Sequence, residues 1–141
     1  GLESPKLYQA ISEVYQGGKL VDSYDTPFGI RYFNFDPVNG FFLNGESVKL
    51  KGVNLHHDLG PLGTAVNKRA TQRQLEIMKE MGANAIRTAH NPPSPEQLAL
   101  CDEMGILVID ETFDEWSMAK SEVEIVIIFG SMNGQRKIQE P

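Results

Sequence analysis

The stretch Asn84-Ala85-Ile86-Arg87-Thr88-Ala89-His90-Asn91-Pro92-Pro93 decides how the chain is read, because it sets an arginine and a histidine at the exit of a short apolar strand. A cationic pair at that point invites an anion or a sugar. Immediately downstream, Ser94-Pro95-Glu96-Gln97 has the form of a helix start, with Ser94 as N-cap, Pro95 at the first helical position and Gln97 able to reach back to the cap. The strand therefore feeds a helix, as in a βα unit.

The pattern extends both ways. Upstream, Thr71 has an N-cap's character with Gln74 three residues on, and Leu75, Met78 and Met81 form an apolar face ending at Gly82. Downstream, a helix over Ser94 to Met104 leads into an apolar strand, Ile106 to Asp110. Further back, Phe41-Phe42-Leu43 and Val48 to Leu50 flank Asn44-Gly45, a strong hairpin signal, and the second arm is expected to run on through Lys51 to Leu55 before a polar loop, Asp58 to Arg69. Strands alternating with helices over short connections call for a parallel sheet with right-handed crossovers, in a barrel or an open sheet. In either, ligands gather at the carboxyl ends of the strands, which here carry His56-His57-Asp58, Arg87 to Asn91 and Asp110-Glu111. An open-sheet nucleotide-binding domain is disfavoured, since no Gly-rich phosphate loop follows a strand.

Residues up to about 35 read as all-β: Leu7 to Gln16, a Gly17-Gly18 turn, a return strand from Lys19 to Tyr24, and a third strand from Ile30 to Phe35. Three strands are too few to bury a sandwich core, so this piece reads as the tail of a β-domain. After Ser121 the pattern breaks, with an apolar run from Ile125 to Phe129 and a polar tail from Ser131.

A chain of 141 residues with 40% hydrophobic content can build a core. Its net charge of −6, with scattered basic residues, argues against a nucleic-acid partner. No apolar run approaches membrane-spanning length. The single cysteine, Cys101, excludes an internal disulfide and reads as a small core residue. No secretion signal opens the chain, which fits a cytoplasmic protein or an exported one shown without its leader. The His56-His57-Asp58 run lacks the i, i+4 spacing that brings two metal ligands onto one helix face, so zinc is not expected.

The run Asn84 to His90, then Pro92, Asp102-Glu103-Met104-Gly105 and Ile106 to Ile109, resembles the first signature of the glycoside hydrolase family 2 enzymes, the β-galactosidases and their β-glucuronidase and β-mannosidase relatives. Phe28-Gly29-Ile30-Arg31, Leu43-Asn44-Gly45 and Leu50 to His56 are similar to that family's passage from an immunoglobulin-like domain into its catalytic barrel. The resemblance covers roughly residues 2 to 120, and departs at Asn91, where the family often has tyrosine. It implies an α/β fold: an incomplete TIM (β/α)8 barrel (its first three βα units) over residues 36–120, preceded over residues 1–35 by β-strands from an immunoglobulin-like sandwich, with an atypical tail over 121–141.

The implied reaction is retaining hydrolysis of terminal β-galactosides, with β-glucuronides or β-mannosides as the alternative. That chemistry needs two carboxyl groups roughly 5 Å apart. In the family these are a glutamate in an Asn-Glu pair after the fourth strand and a nucleophile after the seventh. The chain has no Asn-Glu pair, so it is expected to be a fragment, by premature end or altered reading frame, with no catalytic residue of its own. By resemblance, His56 and His90 meet sugar hydroxyls, and Arg87 keeps the nucleophile ionised. Asp110 and Glu111 orient neighbours or bind hydroxyls, unless they are a solvated acidic loop. Asn91 belongs to the same strand end. Trp116 is a sugar-stacking platform or a core residue. His57, on the opposite face from His56, is read as structural. No cofactor is required; Glu115 matches a magnesium position of some β-galactosidases, but the histidine expected two residues later is Ser117. Unpaired sheet edges imply a homo-oligomer or strand exchange, and a non-catalytic, self-associating or weakly sugar-binding module is the rival reading.

Overall fold

The computed structural model describes residues 1–112; the expectations for Glu115, Trp116 and the tail lie outside the described residues. The first element is a long hairpin, β1 (Leu7–Gln16) against β2 (Lys19–Gly29), turned by Gly17 and Gly18 at φ of 58° and 78°. The return strand is longer than expected because Pro27 does not stop it. A two-stranded sheet leaves an outer row of N–H groups unused, so a proline there breaks no ladder.

The expected third strand starts later: β3 is Phe33–Asp36 and pairs with β4 (Gly40–Leu43), not with the first hairpin. Asn44 and Gly45, both at positive φ (52° and 84°), make the tight turn their sequence implies. The arm after that turn corrects the expectation. β5 is only Glu46–Ser47, and the chain then leaves this sheet. The reason lies 33 residues away: the Asn84 amide accepts from Lys51 N (2.8 Å) and donates to Lys49 O (3.0 Å), so that segment is captured for a different sheet.

That sheet is parallel, in the order β6 (Gly52–Leu55), β7 (Ala85–Thr88), β8 (Leu107–Asp110). Two helices connect its strands, α1 (Lys68–Glu80) and α2 (Pro95–Met104). Strand alternation sends Val53, Leu55, Ile86 and Val108 toward the helices, where they pack with Leu75, Leu100, Cys101 and Ile106. The opposite face carries Asn54, Arg87, Leu107 and Ile109 and borders a cleft of about 630 Å³ whose far wall is Phe33, Phe35 and Phe41.

Ser94 caps α2 as its sequence implies, accepting from Gln97 N at 3.2 Å, and Gly105 ends the helix at φ 70°. The start of α1 differs from expectation. Asn67 is the N-cap, accepting from Ala70 N at 3.0 Å, while Thr71 lies inside the helix, buried, and Gln74 donates to Asp58 O. No described helix is long and apolar enough to cross a membrane.

Candidate functional site

Parallel pairing puts Asn54 beside Arg87 and Arg87 beside Ile109, so a polar group on β6 and a cation on β7 share one face near the carboxyl ends of the strands. The Arg87 guanidinium donates to Asn54 Oδ1 at 3.3 Å and to Glu111 Oε1 at 2.7 Å. The other oxygen of Glu111 lies 3.2 Å from His90 Nδ1. His56, leaving β6, meets the His90 ring edge-on, with centroids 5.3 Å apart. The carboxylate is the least exposed of the three partners, at 16% against 38% for Arg87 and 39% for His90.

Glu111 is held from behind. Its backbone N–H donates to Thr88 Oγ1 (3.2 Å), and that hydroxyl donates to Ile109 O (3.4 Å), so buried Thr88 ties the end of β7 to the end of β8. A hydrogen bond to a charged group contributes about 1.5–3 kcal/mol, and with Arg87 over a third exposed the lower end applies.

Four residues singled out from sequence, His56, Arg87, His90 and Glu111, are thus brought together. Asn91 and Asp110 do not join them: Asn91 is exposed and donates to the neighbouring Pro92 carbonyl (3.1 Å), and Asp110 is exposed on the alternate side of β8 from Ile109. His57 lines a small hollow with His56, Asp58 and Gln74. Asn54 and Thr88 were missed by sequence reasoning. The available signal was parity: Asn54 stands two residues before His56, hence on the same side of its strand.

Among the described residues no three His, Cys, Asp or Glu side chains gather to hold a metal ion, and Glu115 lies outside them. Cys101 is no nucleophile, since burial, with Asp102 adding to it, pushes its thiol up to about 12. Two donors, two imidazoles and a carboxylate at the rim of adjacent strands suit a ligand rich in hydroxyls. Among the described residues the cluster holds one carboxylate, already engaged, and not the pair that glycoside hydrolysis needs.

The description "Glycosyl hydrolases family 2, TIM barrel domain" matches residues 38–132, and "Glycosyl hydrolases family 2" matches residues 1–31. The barrel match reaches into the stretch after residue 120 that sequence reading set apart. The chain is 52% identical over 120 residues to a β-galactosidase of Bacteroides ovatus, covering 85% of this chain and 14% of that protein. It is 46% identical to a putative β-glucuronidase of Formosa agariphila, covering 81% of this chain and 11% of that protein. A family 2 glycosyl hydrolase structure from Bacteroides cellulosilyticus superposes with a TM-score of 0.81 at 44% identity, over 86% of this chain and 16% of that one. A β-glucuronidase structure from Parabacteroides merdae gives 0.73 at 34% identity, over 79% of this chain and 14% of that one.

Proposed function

Because the chain belongs to family 2 of the glycosyl hydrolases, part of it to that family's TIM barrel domain, we propose that it supplies one side of the sugar-binding mouth of a retaining β-galactosidase. In this reading residues 36–120 contribute the first three βα units of a (β/α)8 barrel, and residues 1–35 end an immunoglobulin-like domain. The observation that carries it is the Arg87–Glu111–His90 cluster at the carboxyl ends of neighbouring parallel strands, with His56 against it. Galactoside is preferred because a relative named β-galactosidase is 52% identical.

The roles follow from chemistry. Imidazoles exchange hydrogen bonds with sugar hydroxyls, and the Arg87 guanidinium stabilises negative charge on a reacting carboxylate nearby. The acid/base and the nucleophile come from neither the cluster nor any cofactor, so these 141 residues alone bind weakly and do not hydrolyse. Incubation with a nitrophenyl β-galactoside is expected to release no nitrophenol above background. Turnover at ordinary enzyme rates, roughly 1–10³ per second, with contaminating enzyme excluded, would overturn the inactivity.

A second reading, a β-glucuronide site, is favoured by the relatives that bear that name. Titrating the chain with galactose and with glucuronate, while following the ring signals of His56 and His90, separates the two. Self-association is proposed as well, since β6 and β8 each have one strand neighbour among the described residues. A stable monomer at micromolar concentration, by size exclusion with light scattering, would refute it.

A further inference from the structure

We propose that Glu111 is a positioning residue that sets the proton tautomer of His90 and the orientation of Arg87 together, and that Thr88 is the anchor that lets it do so. The inference deepens the sugar-site reading and rests on it for its functional meaning, but its physical content stands on geometry alone. One Glu111 oxygen takes a short hydrogen bond from the Arg87 guanidinium, which is always charged, so the carboxylate is ionised and can only accept. His90 Nδ1, 3.2 Å from the other oxygen, must then carry a proton for a hydrogen bond to exist there. Neutral His90 is therefore the Nδ1–H form, with the lone pair on Nε2. In free histidine side chains the preference is the reverse.

Two features make Glu111 able to impose this. Its side chain is the most buried of the three, so the bonds form where water competes least. Its backbone is pinned by the Thr88 hydroxyl, which accepts from Glu111 N and donates to Ile109 O across the β7–β8 boundary. A carboxylate bridging two cationic-capable groups cannot move toward one without lengthening its bond to the other. The relative placement of guanidinium and imidazole is thus set before any ligand arrives. This fixes the character of the second ring nitrogen, Nε2: an acceptor when the ring is neutral, a donor when it is charged.

The test is two-dimensional ¹⁵N–¹H correlation of the histidine rings in the whole 141-residue chain, at a pH where the imidazoles are neutral. Wild-type His90 is expected to show the Nδ1–H pattern, and Glu111→Ala to interchange the two nitrogen shifts to the Nε2–H pattern. Thr88→Val is expected to give a mixture that Thr88→Ser returns to the wild-type pattern. An Nε2–H wild type, or an Nδ1–H pattern that survives Glu111→Ala in a folded chain, overturns the proposal. Should Glu111→Ala not fold, the wild-type spectrum and the Thr88 pair still decide. Adding galactose separates the two readings: Nδ1–H His90 without any sugar-induced shift supports the positioning role and counts against the sugar site.

Discussion

The β1–β2 hairpin is made of ten- and eleven-residue strands exposed along their whole length, whereas each strand of the parallel sheet has four residues and β7 is buried at three of its four. The hairpin has the longer hydrogen-bond ladder. Among the described residues no further layer covers it, and an isolated two-stranded sheet is marginal in water. The parallel sheet has short ladders but two helices over one face, and Leu75, Ile86, Leu100 and Cys101 lose nearly all contact with solvent there. Regular backbone and stability therefore reside in different places. The most direct way to break that contrast is truncation on each side of it. Leu75→Ala, at a fully buried site, is expected to cost about 2–5 kcal/mol in urea unfolding. Ile11→Ala, 64% exposed in the hairpin, should stay within about 0.5 kcal/mol. Equal losses would mean that the hairpin is covered in solution.

Two glycines sharpen the comparison, because both hold positive φ and only one has a neighbour. Gly17, at φ 58° in the hairpin turn, has open space where a Cβ would sit. Gly105, at φ 70° between α2 and β8, would drive a Cβ into the Leu2 carbonyl oxygen, where the N-terminal segment crosses this turn. Left-handed backbone costs a non-glycine residue about 1–2 kcal/mol, and Gly17→Ala should show at most that. Gly105→Ala should cost more, since the N-terminal segment must also move. Removing residues 1–6 from the Gly105→Ala chain should recover the excess and leave the φ penalty. An excess that persists would place the conflict elsewhere.

The same contrast explains what could be read from sequence. Helix α2 was legible because its cap, first-turn proline and terminal glycine are local signals, and the strand end carrying Arg87 and His90 was legible because their charge follows an apolar run. The start of α1 was not, because Asn67 and Thr71 are both competent caps, and the choice depends on Thr71 being buried. Nor was the short second arm of the Asn44-Gly45 hairpin, since the competitor for its backbone is the Asn84 side chain, far along the chain. In the site, residue types named His56, Arg87, His90 and Glu111. What they could not name was the partnership, because Asn54 and Thr88 acquire their roles only through parallel register between strands.

Cys101 gives a reporter confined to the buried side of the comparison. With its thiol pushed up to about 12, almost no thiolate is present at pH 8, and its 1% exposure denies reagents access. Labelling by a thiol reagent at pH 8 should therefore be slow until the parallel core opens. Leu75→Ala should hasten it and Ile11→Ala should not. Rapid labelling of the wild-type chain without denaturant would show that the α2 packing is not maintained.

The smallest effect lies between the two regions, in the β3–β4 turn, which is exposed yet locally tied. Backbone N–H groups of Asn39 and then Val38 hold the Asp36 carboxyl below its ordinary value of 3.8. A carboxyl with a lowered folded pKa favours the folded turn above its unfolded value, and that contribution is lost as pH falls through the lower folded value. The Val38 and Asn39 amide signals should accordingly titrate together with a midpoint under 3.8. Asp36→Ala should abolish that titration and leave the β7 amide signals where they stand at neutral pH, because the turn lies outside the buried cluster of the parallel sheet. A midpoint at or above 3.8 would show that the turn is open in solution. A β7 shift on Asp36→Ala at neutral pH would join the turn to the buried sheet rather than to the exposed one.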